Sequence, residues 1–416
     1  MSLLIKNIKS LINVADQPDS WVAGPDMSEL STLDDAYLLM EHGKITDFGK
    51  MDNFPHQQFD GEVMDATGRL VFPSFCDSHT HLVYAGSREI EYSDKIRGLS
   101  YEDIARRGGG ILNSAKRLHR TSEDELYEQS LKRVEEIMAL GTGAVEIKSG
   151  YGLTVEDELK MLKVIKRLKE TTPITIKSTF LGAHSIPAEY KSDPDRYVDL
   201  VVNEMLPEVG RQQLADYVDV FCDRGFFTVD QTDRILNAAL RYGMKPKIHA
   251  NELDYSGGIQ VGVKHKALSV DHLEYTGDEE IQALLDSKTM PALLPGAAFF
   301  LGLVDPPVRK MIQAGLPIAL ASDYNPGSSP SGNMKLIMSL GTIKLKMLPE
   351  EVIHAVTSNG AYAMGLQDEL GTITKGKRAN VFVTKPIPTY AYMPYAYGSH
   401  LVEKVVLNGK LQDYHV

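Results

Sequence analysis

The sequence predicts an α/β fold, a TIM-like (β/α)8 barrel with a small β-sandwich domain assembled from the N- and C-terminal segments. Three observations carry that reading. Eight apolar runs of β-type residues alternate with helix-type patterns through the middle of the chain. Both ends are built instead of short strands and tight turns. The histidines with chemically useful spacing fall where the apolar runs stop.

Residues 1–69 form the first part of the small β domain. Leu3 to Val14 is rich in β-type residues, and AYLLMEHGKITDFG reads as a hairpin turning at His42-Gly43-Lys44. Between them, DQPDSWVAGPDMSELSTLDD carries the Pro, Gly, Ser and Asp of a loop. The barrel is expected over 70–370. Its strand runs are LVFPSF (70–75), AVEIK (144–148), ITIKSTF (174–180), YVDVFC (217–222), KPKIH (245–249), ALSVD (267–271), MPALL (290–294) and PIALAS (317–322). Near-continuous apolar runs suit parallel strands buried on both faces.

Helical patterns lie between most of these runs. SEDELYEQSLKRVEEIMAL opens with Ser122 and Glu125 as a capping box. VEDELKMLKVIKRLKE follows the second strand, and TVDQTDRILNAALRYG follows the fourth and stops at Gly243. The first crossover, 82–143, is long enough for an extra excursion that includes the Gly-rich GLSYEDIARRGGGI. Residues 371–416 return to the small domain, with ANVFVTK as a strand and HLVEKVVLNGKLQ as a hairpin around Asn408-Gly409.

Bulk properties narrow the function. The chain has 416 residues, 43% hydrophobic and 24% charged, enough to bury a large core. A net charge of −12 argues against nucleic acid or an anionic membrane surface as partner. No run approaches the roughly 18 apolar residues of a membrane span. Only Cys76 and Cys222 are present, so no disulfide scaffold is expected, and Cys76 reads as a small buried packing residue. MSLLIKNIKSLIN lacks the apolar core and cleavage site of a signal peptide, and the expected setting is cytoplasmic.

Chemistry in such a barrel sits at the C-terminal ends of the strands. FCDSHTH ends the first run with His79 and His81, which point the same way in an extended chain. Tyr151 follows the second run and His184 the third. His249 ends the fifth, His272 the sixth and Asp323 the eighth. Scattered histidines would not sort in this way. The other seven (His42, His56, His119, His265, His354, His400 and His415) fall on helices, loops or termini, where a solvated side chain is the simpler reading.

His79, His81, His249 and Asp323 make an N3O set suited to one divalent ion, zinc or alternatively iron, with room left for water. Glu252 stands three residues after His249 in HANELD. It reads either as a proton-transfer group or as an ordinary helix N-terminal acid. His272, in SVDHLEY, reads as a base beside the metal or as a fifth ligand.

With these residues assembled, the chain resembles the amidohydrolase superfamily. The matching stretches are FPSFCDSHTHLVYAGSRE, TGAVEIKSGYGL, STFLGAHSIPAEY, KIHANE, SVDHLEY, ALASDYNPGSSP and GTITKGKRANVFV. Binuclear members carry a carboxylated lysine at the end of strand four. Here YVDVFCDRG has Cys222 and Asp223 there instead, and Lys148 and Lys177 sit on strands two and three as structural or ion-pair residues. One metal is therefore expected.

KSGYGL, FLGAH and SDYNPGS, together with Arg88, narrow the resemblance to members that open 4-imidazolone-5-propanoate to N-formimino-L-glutamate. The resemblance implies a small substrate with a carboxylate tail and a homodimeric enzyme. A carboxylate calls for a guanidinium, which Arg88 would supply with help from Tyr101. Tyr151 and His184 would bond the tail or ring, and Asn325, Gly327 and Ser328 would offer polar groups and close backbone.

In that chemistry His272 or Asp323 would take the proton of water, with Glu252 as the alternative to His272, and the metal or His184 would stabilise the oxyanion. Glu252 would carry a proton to the departing nitrogen. The rival reading is an aminohydrolase that releases ammonia from a heterocyclic base with the same metal residues. Arg88 weighs against it, because a neutral base needs no carboxylate clamp.

Overall fold

The computed structural model describes residues 2–54, 59–99 and 109–413. Eight parallel strands pair in sequence order: Phe75–Asp77, Thr142–Lys148, Thr175–Ala183, Tyr217–Cys222, Lys245–Ala250, Ser269–His272, Met290–Leu293 and Ala319–Leu320. The second and fourth are buried along their whole length, as strands covered on both faces must be. The seam between the eighth and first strands is closed by three links. Thr80 bridges Tyr324, the Asp323 N–H donates to the His79 carbonyl (3.0 Å), and the His81 N–H donates to the Tyr324 carbonyl (2.9 Å). The expected barrel is present, and its seam is made by the loops that carry three of the four expected metal ligands.

One strand differs from expectation. The run over 70–75 is two strands. Leu70–Pro73 pairs with Ser2–Ile12 and Val381–Thr384 in the small sheet, and Phe75–Asp77 begins the barrel. Pro73 has no N–H with which to continue a ladder. After it, the Ser74 N–H still reaches the Asn380 carbonyl, whereas the Phe75 N–H reaches that of Gly141.

The small domain draws on both chain ends, as expected. Its sandwich is one continuous eight-stranded sheet bent upon itself. Two tight hairpins, His42-Gly43 and Asn408-Gly409, hold positive φ at both central residues, as two-residue turns between twisted strands require. They meet at the bend: Ala379 donates to the Gly43 carbonyl and accepts from the Gly409 N–H, both at 2.9 Å. Ile5, Leu38, Ile45, Val381 and Val406 pack together to fill the enclosed face. The outer face is tied to the barrel by Phe382, which stacks on Phe72 (5.1 Å between centroids) and lies against Phe75 (4.7 Å).

The helices follow their caps. Ser122 accepts from the Glu125 N–H at the start of Glu123–Ala139, and Thr154 accepts from Asp157 at the start of Val155–Thr171. Thr228 and Gln231 cap each other at the start of Val229–Leu240. Among the described residues the first crossover carries the helices Glu89–Ile96 and Ile111–Arg120. Tyr101 lies outside the described residues.

Candidate active site

The first, fifth and eighth strands bring four donor atoms to one point. His81 Nε2 lies 3.2 Å from His79 Nε2 and 3.3 Å from His249 Nε2. Asp323 Oδ1 lies 3.5 Å from His79 Nε2 and 3.4 Å from His81 Nε2. All four side chains are buried. Donors about 2.1 Å from a tetrahedral centre stand roughly 3.4 Å apart, so this spacing is that of ligands around one small ion. His79 Nδ1 faces Asp271 Oδ2 at 2.6 Å, and His249 Nδ1 faces Asp219 Oδ2 at 2.9 Å. At His79 the carboxylate holds the ring proton on Nδ1 by a hydrogen bond and leaves Nε2 bare, and at His249 the carboxylate stands at ion-pair distance from Nδ1. Burial and the neighbouring cations hold His79 and His81 well below the usual imidazole range, so protons do not fill the gap. Lone pairs facing one another in this way call for a cation.

An ionic layer lies beneath the cluster, inside the barrel. Lys148 Nζ stands 2.6 Å from Glu146, 2.9 Å from Asp219 and 3.7 Å from Asp271. Lys247 pairs with Glu146 and donates to the Ser78 carbonyl at 2.7 Å. Burial pushes the Asp271 carboxyl up, and Lys247 and Lys148 act against that push. Lys148 is thus the ion-pair partner expected of it, and Lys177 pairs with Asp216 at 3.5 Å. Asp219, Asp271, Glu146 and Lys247 were not singled out from sequence. Asp271 directly precedes His272, and the charged residues interrupting otherwise apolar strands were the available signal.

His184 and Tyr151 stand beside His81. The His184 ring stacks on His81 at 17° with 5.1 Å between centroids, and Tyr151 lies 5.3 Å from His184. His184 Nδ1 is 2.9 Å from the Gly150 carbonyl. A carbonyl only accepts, so Nδ1 carries the proton and Nε2 is an acceptor. Burial and His249 push this imidazole down to about 3, which keeps it neutral. The loop is held by a buried carboxylate that sequence reasoning passed over. Glu158 accepts from the N–H groups of Gly150 (3.1 Å), Gly152 (2.8 Å) and Leu153 (2.9 Å).

Glu252 and His272 meet across the cluster, with His272 Nε2 at 3.7 Å from Glu252 Oε2 and Nδ1 at 3.8 Å from Glu274 Oε2. Burial, reinforced by nearby carboxylates, pushes Glu252 up to about 7. Burial works against the His272 charge, but Glu252 and Glu274 outweigh it and carry that imidazole up to about 10.

Arg88 closes the far side of the same cavity, which has a volume of about 560 Å3. Its Nε and Nη2 both reach Glu91 Oε2 at 2.8 Å. Glu91 in turn accepts from Asn113 (2.8 Å) and the Gly110 N–H (2.9 Å). The Asn325 amide is spent inside its own loop. Its Oδ1 accepts from the N–H groups of Gly327 and Ser328, and its Nδ2 donates to the Asp323 carbonyl and to Ser328 Oγ. Asn325 therefore shapes the turn that sets Gly327 against Arg88 and brings Ser328 Oγ to 3.3 Å from Asp323 Oδ2. An apolar wall of Phe221, Phe226, Phe300 and Leu303 completes the cavity. Phe221 on the fourth strand, Phe226 after it and Phe300 on the helix Pro295–Leu301 are single apolar residues with no spacing that would have marked them in the sequence.

Of the seven histidines set aside, His56 and His415 lie outside the described residues. His354 departs from the solvated reading, because it is buried and its Nε2 lies 2.8 Å from the Glu29 carbonyl. Cys76 and Cys222 are both buried and unbridged. Among the described residues no helix is long and apolar enough to cross a membrane.

A barrel of this form, with three histidines and an aspartate at its mouth, is the architecture of metal-dependent hydrolases. The amidohydrolase family pattern matches residues 70–411, and the chain belongs to that family. Two relatives place it more closely. The imidazolonepropionase of Christiangramia forsetii is 57% identical over 411 residues, covering 99% of this chain and 100% of the relative. That of Geobacillus kaustophilus is 41% identical over 413 residues, covering 98% and 97%. Within the amidohydrolases the chain stands in the imidazolonepropionase family.

Solved structures share the fold at low identity. A triazine hydrolase variant superimposes with a TM-score of 0.77 at 17% identity, covering 99% of this chain and 94% of that one. E. coli guanine deaminase superimposes at 0.74 and 16%, covering 100% of both. The family is metal-dependent, and His79, His81 and His249 form a group able to hold an ion.

Proposed function

We propose that this chain opens the cyclic amide of 4-imidazolone-5-propanoate with water to give N-formimino-L-glutamate, using one divalent ion held by His79, His81, His249 and Asp323. Zinc is the ion of choice for this N3O set, with iron as the alternative. The observation that carries the reading is Arg88 lining one cavity with His81, His249 and Asp323, in a chain of this family. When bound, a divalent ion there makes hydroxide available at neutral pH by lowering the pKa of water from about 16 towards ~7.

The chain's own groups do the rest. Glu91 occupies the Nε and Nη2 edge of Arg88, which leaves Nη1, beside Gly327, to meet the propionate tail. Tyr151 offers its hydroxyl to the same substrate. His184 cannot be the oxyanion donor expected from sequence, because its Nε2 carries no proton in this tautomer; it accepts a ring N–H instead. His272 holds its proton and acts as a donor between Glu252 and Glu274, so it is not the base. Asp323 turns Oδ1 to the cluster and keeps Oδ2, beside Ser328, for the proton of water. Glu252, pushed up to about 7, passes a proton to the departing ring nitrogen. The aromatic wall keeps bulk water from the ring.

The test is turnover of the zinc-loaded protein with 4-imidazolone-5-propanoate, following formiminoglutamate. Product above the enzyme-free rate, lost with Arg88→Ala, supports both reaction and clamp. A protein carrying about one metal per chain that yields no product, but releases ammonia from nucleobases, would transfer the reading to an aminohydrolase. The homodimer and the cytoplasmic setting belong to the same proposal, and sedimentation and cell fractionation test them.

A further inference from the structure

We infer that Lys148 is a positioning residue for the metal centre, acting through Asp219 and Asp271 on His249 and His79. The inference rests on the reading of those histidines as metal ligands. Its basis is that the ammonium touches the same oxygens that face the imidazoles. Asp219 Oδ2 is 2.9 Å from His249 Nδ1 and 2.9 Å from Lys148 Nζ. Asp271 Oδ2 is 2.6 Å from His79 Nδ1 and 3.7 Å from Lys148 Nζ. One cation on strand two therefore binds together the carboxylates of strands four and six, each of which orients a ligand.

The arrangement is closed to water and fixed from below. Lys148, Glu146, Asp219, Lys247 and Asp271 are all fully buried or within 1% of it. Glu146 bridges the two lysines, and the Thr179 hydroxyl donates to it. Lys247 is anchored to the carbonyl of Ser78, the residue before His79. Three carboxylates share two ammonium groups, so each carboxylate depends on a cation it does not own. A carboxylate with an ammonium beside it stays a hydrogen-bond acceptor, and that is the role that keeps the ring proton on Nδ1 and Nε2 free. Without Lys148 the two carboxylates lose their common tether. Both imidazoles then lose a fixed tautomer and a fixed ring plane at once.

A purely structural ion pair would affect folding and leave metal affinity alone, so affinity is the deciding readout. The full chain, stripped of metal, is titrated with Zn2+ against a chromophoric chelator and with Co2+ by visible absorption. Lys148→Met is expected to weaken Zn2+ binding by about 10–100-fold, the usual scale for groups behind a metal ligand, and to change the Co2+ spectrum. The Lys148→Met/Asp271→Asn double variant should lose less than the product of the two single losses, because both changes break one chain of contacts. A folded Lys148→Met protein with Zn2+ affinity within twofold of the parent and an unchanged Co2+ spectrum overturns the inference. Should Lys148→Met fail to fold, Asp219→Asn and Asp271→Asn decide it, and unchanged affinity in both overturns it. A parent chain that binds no Zn2+ would instead sink the metal reading itself.

Discussion

Arg88 and Gly327 are in such close contact that a Cβ on Gly327 would stand 2.1 Å from Arg88 Nη1. The Nη1 end of the guanidinium lies against backbone that only glycine leaves uncovered. Gly327→Ala must therefore push Arg88 off its position without touching the metal residues. Loss of a charged hydrogen bond of about 1.5–3 kcal/mol corresponds to a rise in KM of roughly 10–100-fold. Steady-state kinetics should show that rise with a smaller change in kcat, and zinc content should be unchanged.

Glu252→Gln removes a proton carrier and keeps the shape of the side chain. Glu252 is not among the four converging donor atoms, so metal content should stay at the parent level. The value of kcat should fall by at least ~10²-fold, the scale of acid–base catalysis. Near-normal turnover would remove Glu252 from the mechanism.

Metal removal should destabilise the chain, because the converging lone pairs exist only in the folded state. At a free zinc concentration of 100 times Kd the stabilisation is about 2.7 kcal/mol. Differential scanning calorimetry of chelator-stripped and zinc-replenished protein should show a lower, zinc-restorable Tm. A stripped protein with the same Tm would mean that the cluster does not hold the ion.

His272 supplies a pH signature in the metal-free chain. Its folded-state pKa is raised from 6.5 to about 10. A raised group adds stability that is complete below the unfolded value and disappears as pH climbs through the folded one. The destabilisation caused by His272→Gln should therefore be largest below pH 6.5 and shrink towards pH 10, as read from urea unfolding at each pH. A pH-independent difference would mean that the imidazole carries no charge in the folded protein.

Much of the architecture was legible because it is written in short-range patterns. The N-cap at Ser122, where only one of the two expected bonds of the capping box forms, and the paired-turn residues at His42-Gly43 and Asn408-Gly409 act over a few residues. The fifth barrel strand was expected over 245–249 and spans Lys245–Ala250, because an apolar run between turn signals already defines a buried parallel strand. The split at Pro73 was not foreseen. LVFPSF is uniformly apolar, and the choice of partner sheet depends on Val381–Thr384, more than 300 residues away.

Sequence alone was enough to expect His79, His81, His249 and Asp323 at one place, because a barrel sends every strand end to one mouth and each of them lies at or just beyond a strand end. It could not supply the partners that make those residues work. The proposed roles of His184 and His272 rest on the Gly150 carbonyl beside one ring and on Glu252 and Glu274 beside the other. Hydrogen-bond roles and ionisation depend on distances of a few ångströms between residues remote in the chain. Such distances come into being when the barrel closes, which is why the buried layer of Lys148, Asp219 and Asp271 emerged with the fold and not before it.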